Sequence, residues 1–512
     1  MDIKLESNFL KIFEERGYFH QATHKKELDD LIKKEEGSGK GITAYIGFDC
    51  TAKSLHVGSL IQIMILRQLQ KCGHNPIVLL GGGTTKIGDP SGKDEARQIL
   101  TDEIIAENIA GIKKTLEKFD LSKTDSSLKP FQFVNNEDWL KDLKYIDFLR
   151  DFGRHFSVNR MLTFESVKMR LDRQQSLSFL EFNYMILQAY DFYKLNAEKN
   201  CVLQIGGSDQ WGNIVNGVEL TRRIGVETMI KATKQVIKKI HNDFPHEPNL
   251  EELLKAHSKL YDDFDDHSWN ATLFKTTAEK GQKSISNIKN PSCEKRVAEE
   301  FKILGKLISE SSAKVFGLTT PLLTTASGAK MGKTANGAVW LDGGMLDPFE
   351  YFQYFRNVDD KDVPRFLRLF TELDSHKIAE IEQKDINEQK KILASEATEI
   401  CHGLEIAKQC EEKAEKIFGN KDGDNIDDLP QIELQLTSEE MQNGKMLAAI
   451  LKEQQLCESF GEAKRLIKGG GVKINEEKII DESYMLKFNN ETSYFKLSLG
   501  KKKFFKVNFS VK

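Results

Sequence analysis

Between Ile42 and Gly73 the hydrophobic period of the chain changes. Ile42 to Phe48 is a short, mostly apolar run, Asp49 to Ser54 is polar, and beyond His56 the apolar positions Leu60, Ile63, Met64 and Leu66 recur at close to helical spacing. The pattern predicts strand, turn and helix, with Gly73 as the cap. A second apolar run, Pro76 to Leu80, leads into GGGTTKIGDPSGKDEAR, where Asp89-Pro90-Ser91-Gly92 is strong turn chemistry. A helix over 102–119 and a strand over 131–134 follow. Cys201 to Ile205 reads as another strand, Gly206 to Gly212 as its exit loop, and Asp209 as the cap of a helix through Glu219. Strand character returns over 315–324. Such strand–loop–helix units predict an α/β fold with a Rossmann-like, doubly wound parallel sheet. Ligands bind these sheets where loops leave the carboxyl ends of the strands.

The remaining segments flank this sheet. Residues 6–35 read as two amphipathic helices punctuated by Gly17. Residues 135–170 are helical and rich in large apolar side chains (Trp139, Tyr145, Phe148, Phe152, Phe156, Phe164), which suits either ordinary core or a subunit interface. Residues 225–313 break the pattern. They are Lys-rich and polar, with helices expected at 250–260 and 294–307, and too long for a simple loop, so they read as an accessory insertion. From Asp347 to about Asn420 the pattern is helical throughout, and Asn420 to Asn425 is a polar linker. Helices at 447–456 and 461–468 and a strand after Gly469-Gly470-Gly471 then predict a small α+β module. The expected domains are 1–346, 347–430 and 443–512.

Composition narrows the function classes. The chain has 512 residues, 39% hydrophobic and 30% charged, with a net charge of −4, which is globular composition with ample core and no global field for a polyanion. Its seven cysteines are scattered and form no CxxC, so neither a disulfide framework nor a zinc site is indicated, and a reducing compartment fits. His241 and His246, with a proline between them, match no helical zinc pattern. No apolar run approaches membrane-spanning length and the N-terminus is no targeting peptide, so a cytoplasmic location is expected. Against the acidic whole, the C-terminal piece gathers Lys464, Arg465, Lys468 and Lys473 and the run Lys501 to Lys503. This is an electrostatic footprint for RNA phosphates.

Candidate chemistry lies in the loops. His56, Gly58 and Ser59 stand at a helix start, where unpaired N–H groups suit phosphate and a glycine lets a nucleotide lie on the backbone. Lys86, Lys93 and Arg97 surround the Asp89–Gly92 turn. Tyr184, Gln188 and Asp191, at i, i+4 and i+7, share one helix face as a polar stripe. Ala326 to Thr334 is a small-residue loop carrying Lys330 and Lys333.

Taken together and in this order, YIGFDCTAKSLHVGSL, GDPSGK, YMILQAYDFY, GGSDQWGN and GAKMGKT resemble the bacterial-type tyrosyl-tRNA synthetases, a family of class I aminoacyl-tRNA synthetases. The likeness covers nearly everything except 225–313. The family's HIGH motif stands here as HVGS and its KMSKS loop as KMGKT, and Ile46 replaces a cysteine that reaches the ribose in some members. The resemblance implies that tyrosine and ATP give tyrosyl-adenylate and pyrophosphate, and that the tyrosyl group then passes to tRNA(Tyr). It implies catalytic roles for Thr51, His56, Lys93, Arg97, Lys330, Lys333 and Thr334. Tyrosine would be held by Tyr45, Asp89, Tyr184, Gln188, Asp191 and Gln210, the phenol falling to Tyr45 and Asp191. ATP would be held by Gly47, Asp49, His56, Gly58, Ser59, Gly207, Asp209 and Lys333. It further implies Mg²⁺ arriving with ATP, a homodimer built through 135–170, an anticodon-arm helical segment at 347–430, and a terminal domain like that of ribosomal protein S-four, with Lys464, Arg465, Lys468 and Lys473 on RNA. The alternative is an RNA-binding protein on a synthetase scaffold with lost or secondary catalytic activity.

Overall fold

Strands buried on both faces need no polar alternation, and the apolar runs of this chain become such a sheet. In the computed structural model β1 (Gln21–Ala22), β2 (Thr43–Asp49), β3 (Asn75–Gly81), β4 (Gln132–Asn135), β5 (Cys201–Gly207) and β6 (Phe316–Thr320) lie in the order β1-β6-β5-β2-β3-β4. Strands β2 to β6 are parallel and β1 runs against β6. The winding direction reverses between β2 and β5, so the carboxyl ends of these neighbours form the switch point of a doubly wound sheet. The structure describes residues 3–89, 100–244, 246, 290–296, 299, 314–326, 328, 331–334, 337–418, 429–488, 493–500 and 503–511.

Helix Leu60–Lys71 follows β2 and is buried on most of its circumference, between the sheet and the helix Val363–Phe370. Arg67 ties this layer together, its guanidinium reaching Glu372 at 2.7 Å and the Phe119 carbonyl at 3.0 Å. Helix Phe179–Lys199 opens with a Ser178/Glu181 capping box and lies alongside helix Trp211–Asp243. Residues 137–172 form short helices whose Phe148, Phe156 and Phe164 pack on a small core of Met161, Val167, Met185 and Ile186.

Three expectations are corrected. The glycine-rich stretch after β3 is not all loop, because Gly82–Thr85 closes a helical turn. Asp209 does not cap the following helix. It lies in the 3-10 turn Ser208–Gln210, and Gln210 is the N-cap. Nor does that helix end at Glu219. It runs unbroken to Asp243, through the expected start of the insertion at 225. Glu227 lies on this continuation: its buried carboxylate pairs with Arg154, lies 3.5 Å from His155 Nε2, and meets Lys231 at 2.6 Å. The expected helix 250–260, most of 294–307 and the linker 420–425 fall outside the described residues, while 291–296 are helical.

The chain divides into two compact units, Met1–His402 and Gly403–Lys512. The break falls at Gly403 (φ +91°), between helices Ile386–His402 and Leu404–Phe418, so the stretch expected as one helical domain is split. In the first unit, a small hairpin of β7 (Lys333–Thr334) and β8 (Gly337–Ala338) follows β6. The second unit is built on β9 (Gln431–Leu436), β10 (Lys445–Met446), β11 (Val472–Ile474), β12 (Glu477–Ile479), β13 (Met485–Leu486), β14 (Tyr494–Leu499) and β15 (Lys503–Val511). Five of these strands form a sheet ordered β12-β11-β14-β15-β9, and β10 pairs with β13. Helices Leu447–Glu453 and Phe460–Lys468 close its core around Leu447, Ile450, Leu451, Ile467, Val472, Leu497 and Val507.

Candidate active site

The carboxyl ends of β2, β3 and β5 bring the polar motifs together. At one end of the site, Asp191 is 1% exposed, and its carboxylate accepts from Asn136 Nδ2 at 3.0 Å and Trp139 Nε1 at 2.7 Å. Burial pushes its pKa up to about 7, against the pull of these two donors. Tyr45, also 1% exposed, packs its ring 5.5 Å from that of Phe192. Its pKa is raised well above the usual phenol range by burial and then by the Asp191 charge, so the two groups feel one another. Tyr45 Oη has no hydrogen-bond partner among the described residues. A buried phenol without a partner costs about 1–3 kcal/mol. An adjacent buried carboxylate and an orphaned phenol together fit the hydroxyl of an incoming ligand.

Asn136 extends this end of the site. Its Nδ2 also donates to Thr84 Oγ1 at 2.9 Å, Thr84 Oγ1 donates to Asp49 Oδ1 at 3.0 Å, and Tyr184 Oη donates to Asp49 Oδ2 at 3.1 Å. Asp49, assigned to the nucleotide by resemblance, thus also holds the tyrosine-set residue Tyr184 in place.

A second amide network holds the middle of the site. Gln210 Nε2 donates to Asp89 Oδ2 at 2.7 Å, and Asn213 Nδ2 donates both to Gln210 Oε1 at 3.1 Å and to Gln188 Oε1 at 3.0 Å. Asp89, Gln188 and Gln210 are therefore brought together, linked by a residue that the sequence reading did not single out. Asn136, Trp139 and Asn213 are the functional candidates it missed. Their signal was weak: the second of two Asn at a strand end, a Trp among many apolar anchors, and an Asn in the first turn of a helix.

The third part of the site lies at the start of helix Leu60–Lys71. The backbone of 55–57 pairs with the chain beyond β8, Val57 N–H donating to Val339 O at 2.8 Å and Leu341 N–H to Leu55 O at 2.9 Å. This brings the β7–β8 hairpin, which carries Lys333 and Thr334, to the HVGS motif. His56 Nδ1 accepts the Gly58 N–H at 3.0 Å. Any Cβ on Gly58 would lie 2.7 Å from His56 Cε1 and 2.9 Å from the Met331 carbonyl, so only glycine fits there. Ser59 is the N-cap of the helix with its hydroxyl unused in capping, and Thr51 is exposed on the loop after β2. Gly47 is exposed within β2. Gly207 and Asp209 stand at the end of β5 and in the turn after it. Lys93, Arg97 and Lys330 lie outside the described residues. Lys86, expected as one of three cations at the turn, is engaged by Asp102 at 2.8 Å and Glu137 at 2.7 Å.

A family model for tRNA synthetases class I (W and Y) matches residues 38–244 and 296–419, and one for the S4 domain matches 447–491. The chain is 46% identical to a tyrosine–tRNA ligase of Wolbachia pipientis over 99% of its own length and 98% of the relative's. It is 47% identical to one of Ehrlichia ruminantium over 99% of both. This chain belongs to the tyrosine–tRNA ligases, class I tRNA synthetases. Among solved structures it is similar to a C-terminally truncated mitochondrial tyrosyl-tRNA synthetase of Aspergillus nidulans, with a TM-score of 0.58 and 25% identity over 81% of this chain and 95% of that one. As a class I synthetase it is a ligase that uses ATP, on a Rossmann-like parallel sheet followed by helices and a C-terminal S4 domain. The class I match stops at 244 and resumes at 296, leaving a narrower insertion than 225–313 outside the family pattern.

The S4 domain presents Arg465, Lys468 and Lys473 to solvent, while Lys464 is half-buried with its ammonium 5.4 Å from the centre of the Phe460 ring. Among the described residues no group of three His, Cys, Asp or Glu could hold a metal ion, and no helix is long and apolar enough to cross a membrane.

Proposed function

We propose that the chain activates L-tyrosine with ATP and transfers the tyrosyl group to tRNA(Tyr), using the residues placed above. The observation that carries this reading is the convergence of three distant segments on one sheet edge: Tyr45 with Asp191, Gln188 with Gln210 and Asp89, and His56 with the β7–β8 hairpin. A buried carboxylate and phenol recognise the substrate hydroxyl, and phenylalanine leaves the Tyr45 hydroxyl without a partner. Asp89, Tyr184 and Gln188 take the ammonium, and Gln210 lies by the carboxylate. That carboxylate attacks the α-phosphate. A carboxyl–phosphate bond forms, the bond from the α-phosphate to its bridging oxygen breaks, and pyrophosphate leaves with the negative charge.

The protein supplies no nucleophile, so catalysis rests on positioning and on donors to the departing phosphates. Thr51, His56, Lys93, Arg97, Lys330, Lys333 and Thr334 are proposed for this task. Gly47, Gly58, Ser59, Gly207, Asp209 and Asp49 are proposed to receive the nucleotide. Mg²⁺ is taken to enter as part of Mg–ATP. The S4 domain binds tRNA phosphates through Lys464, Arg465, Lys468 and Lys473, and the helices after 347 meet the anticodon arm. The enzyme works in the cytoplasm as a homodimer. The exposed apolar side chains of Tyr145, Ile146, Val158, Leu171 and Phe179, all from one stretch of chain, support an interface there. An RNA-binding protein that has lost catalysis is not favoured, since relatives aligned over the whole chain are tyrosine–tRNA ligases.

The test is ATP–pyrophosphate exchange with tyrosine, phenylalanine or tryptophan as the only amino acid. Exchange is expected with tyrosine alone; exchange driven better by tryptophan would refute the assignment.

A further inference from the structure

Two glycines from distant segments close on the same edge of the His56 ring. A Cβ on Gly58 would lie 2.7 Å from His56 Cε1 and 2.9 Å from Nδ1, and a Cβ on Gly332 would lie 2.9 Å from both atoms. Gly332 sits at φ +125°, a backbone state that side-chain-bearing residues rarely adopt. Its position is held from both directions. Val339 N–H donates to the Gly332 carbonyl at 3.2 Å, and the neighbouring Met331 N–H donates to Leu323 O at 2.8 Å. The same hairpin returns Trp340, whose ring meets the imidazole edge-on at 6.3 Å and whose backbone bridges to His56. On the third side, the Gly58 N–H bonded to Nδ1 assigns the neutral tautomer with the proton on Nε2.

We propose that Gly332 is a positioning residue for His56. The backbone of the lysine-loop hairpin is seated against the Nδ1–Cε1 edge of the imidazole, and with Gly58 and Trp340 it fixes the ring so that Nε2–H is the donor presented to the triphosphate. On this backbone a Cβ at the third residue of KMGKT, where the family's KMSKS carries serine, would push the hairpin off the ring, the ring off its hydrogen bond, or both. The inference rests on the reading of His56 as a phosphate donor and adds the element that aims it.

A double-mutant cycle tests it. Adenylate formation is followed in single turnovers for the wild type, Gly332→Ala, His56→Ala and the double variant, with tyrosine affinity measured on each. Gly332→Ala is expected to slow adenylate formation about 10- to 100-fold, as misplacement of a reacting group does, and to leave tyrosine affinity within about twofold. In the His56→Ala background the same change is expected to cost at least about fivefold less, because the ring edge is gone, while backbone strain at position 332 is common to both backgrounds and cancels. An equal penalty in both backgrounds, or no penalty in the first, overturns the proposal. His56→Ala at the wild-type rate instead refutes the phosphate-donor reading, and the inference falls with it. Should Gly332→Ala fail to fold, shown by lost tyrosine binding, the contact is measured in the unmodified chain with histidine and glycine selectively labelled. A nuclear Overhauser effect between His56 Hε1 and Gly332 Hα is expected, and its absence overturns the proposal.

Discussion

A carboxyl group sealed from water ionises reluctantly, and Asp191 titrates near neutrality for that reason. The sign follows from linkage. Its native pKa lies above the ordinary carboxylate value, so through roughly pH 4 to 7 the folded state keeps a proton that the unfolded state releases, and stability falls as pH rises across that window, by about 4 kcal/mol from this group. Asp191→Asn is expected to flatten that part of the pH–stability curve, measured by urea unfolding against pH. Tyrosine binding runs the other way. Asn136 and Trp139 already donate to Asp191, and a third donor, the substrate phenol, requires the ionised form. Tyrosine affinity should therefore fall below pH 7 by up to about tenfold per unit, and a titration showing no such dependence would separate Asp191 from the phenol. Tyr45 is expected to trade stability for specificity. Tyr45→Phe removes an orphaned hydroxyl and should stabilise the free enzyme by about 1 kcal/mol in thermal unfolding, while the preference for tyrosine over phenylalanine drops about tenfold or more in the exchange assay.

Helix Asp102–Glu117 carries none of the residues assigned to substrate, yet it shapes the loop that holds Thr51. Asn108 Nδ2 donates to the Cys50 carbonyl at 2.9 Å, Thr115 Oγ1 lies 3.4 Å from Ser54 Oγ, and the Cα of Gly111 leaves room for the Lys53 carbonyl. A Cβ on Gly111 would fall 2.0 Å from that carbonyl oxygen. Helix propensity favours Gly111→Ala by about 0.5–1 kcal/mol, but overpacking against fixed backbone costs about 1–3 kcal/mol and should win. The variant is expected to melt at least ~2 °C lower and to form adenylate more slowly; a rise in melting temperature would show that the loop yields freely. Periodicity found this helix to within two residues at its C-terminal end, because an amphipathic pattern is local. It could not show that Gly111 faces a loop some sixty residues earlier. The Asp209 cap and the helix end at Glu219 failed for the same reason. Local capping rules could not show that the helix continues past Glu219 to Asp243, where Glu227 meets Arg154 from another element.

At the scale of the molecule, the candidate active site and the S4 domain belong to separate compact units, and charge distinguishes them. A chain of net charge −4 can bind a polyanion only through a local basic surface, which the S4 domain offers at Arg465, Lys468 and Lys473. Arg465→Ala and Lys468→Ala are each expected to weaken tRNA binding and to lower the slope of log affinity against log salt by about one, with tyrosine-dependent pyrophosphate exchange unchanged. An unaltered slope would place those side chains away from phosphate. The two-unit division itself was only partly legible. The break falls at Gly403, where one glycine with positive φ separates two helices that share a helical pattern.

Local chemistry, written in neighbouring residues, was available from the chain alone: the apolar runs that must be strands, the helix start at His56, the polar stripe of Tyr184, Gln188 and Asp191, and the motif order that marks a class I synthetase. What folding decided is which of these groups meet. Asn136 and Trp139 reach Asp191 only because β4 ends beside helix Phe179–Lys199, and Gly332 reaches His56 only because backbone pairing returns the lysine hairpin to the HVGS turn. A pKa near 7 on one carboxyl and a glycine required at one loop position are properties of burial and close approach. Neither has a signature in local sequence, since both depend on atoms supplied by segments far away in the chain.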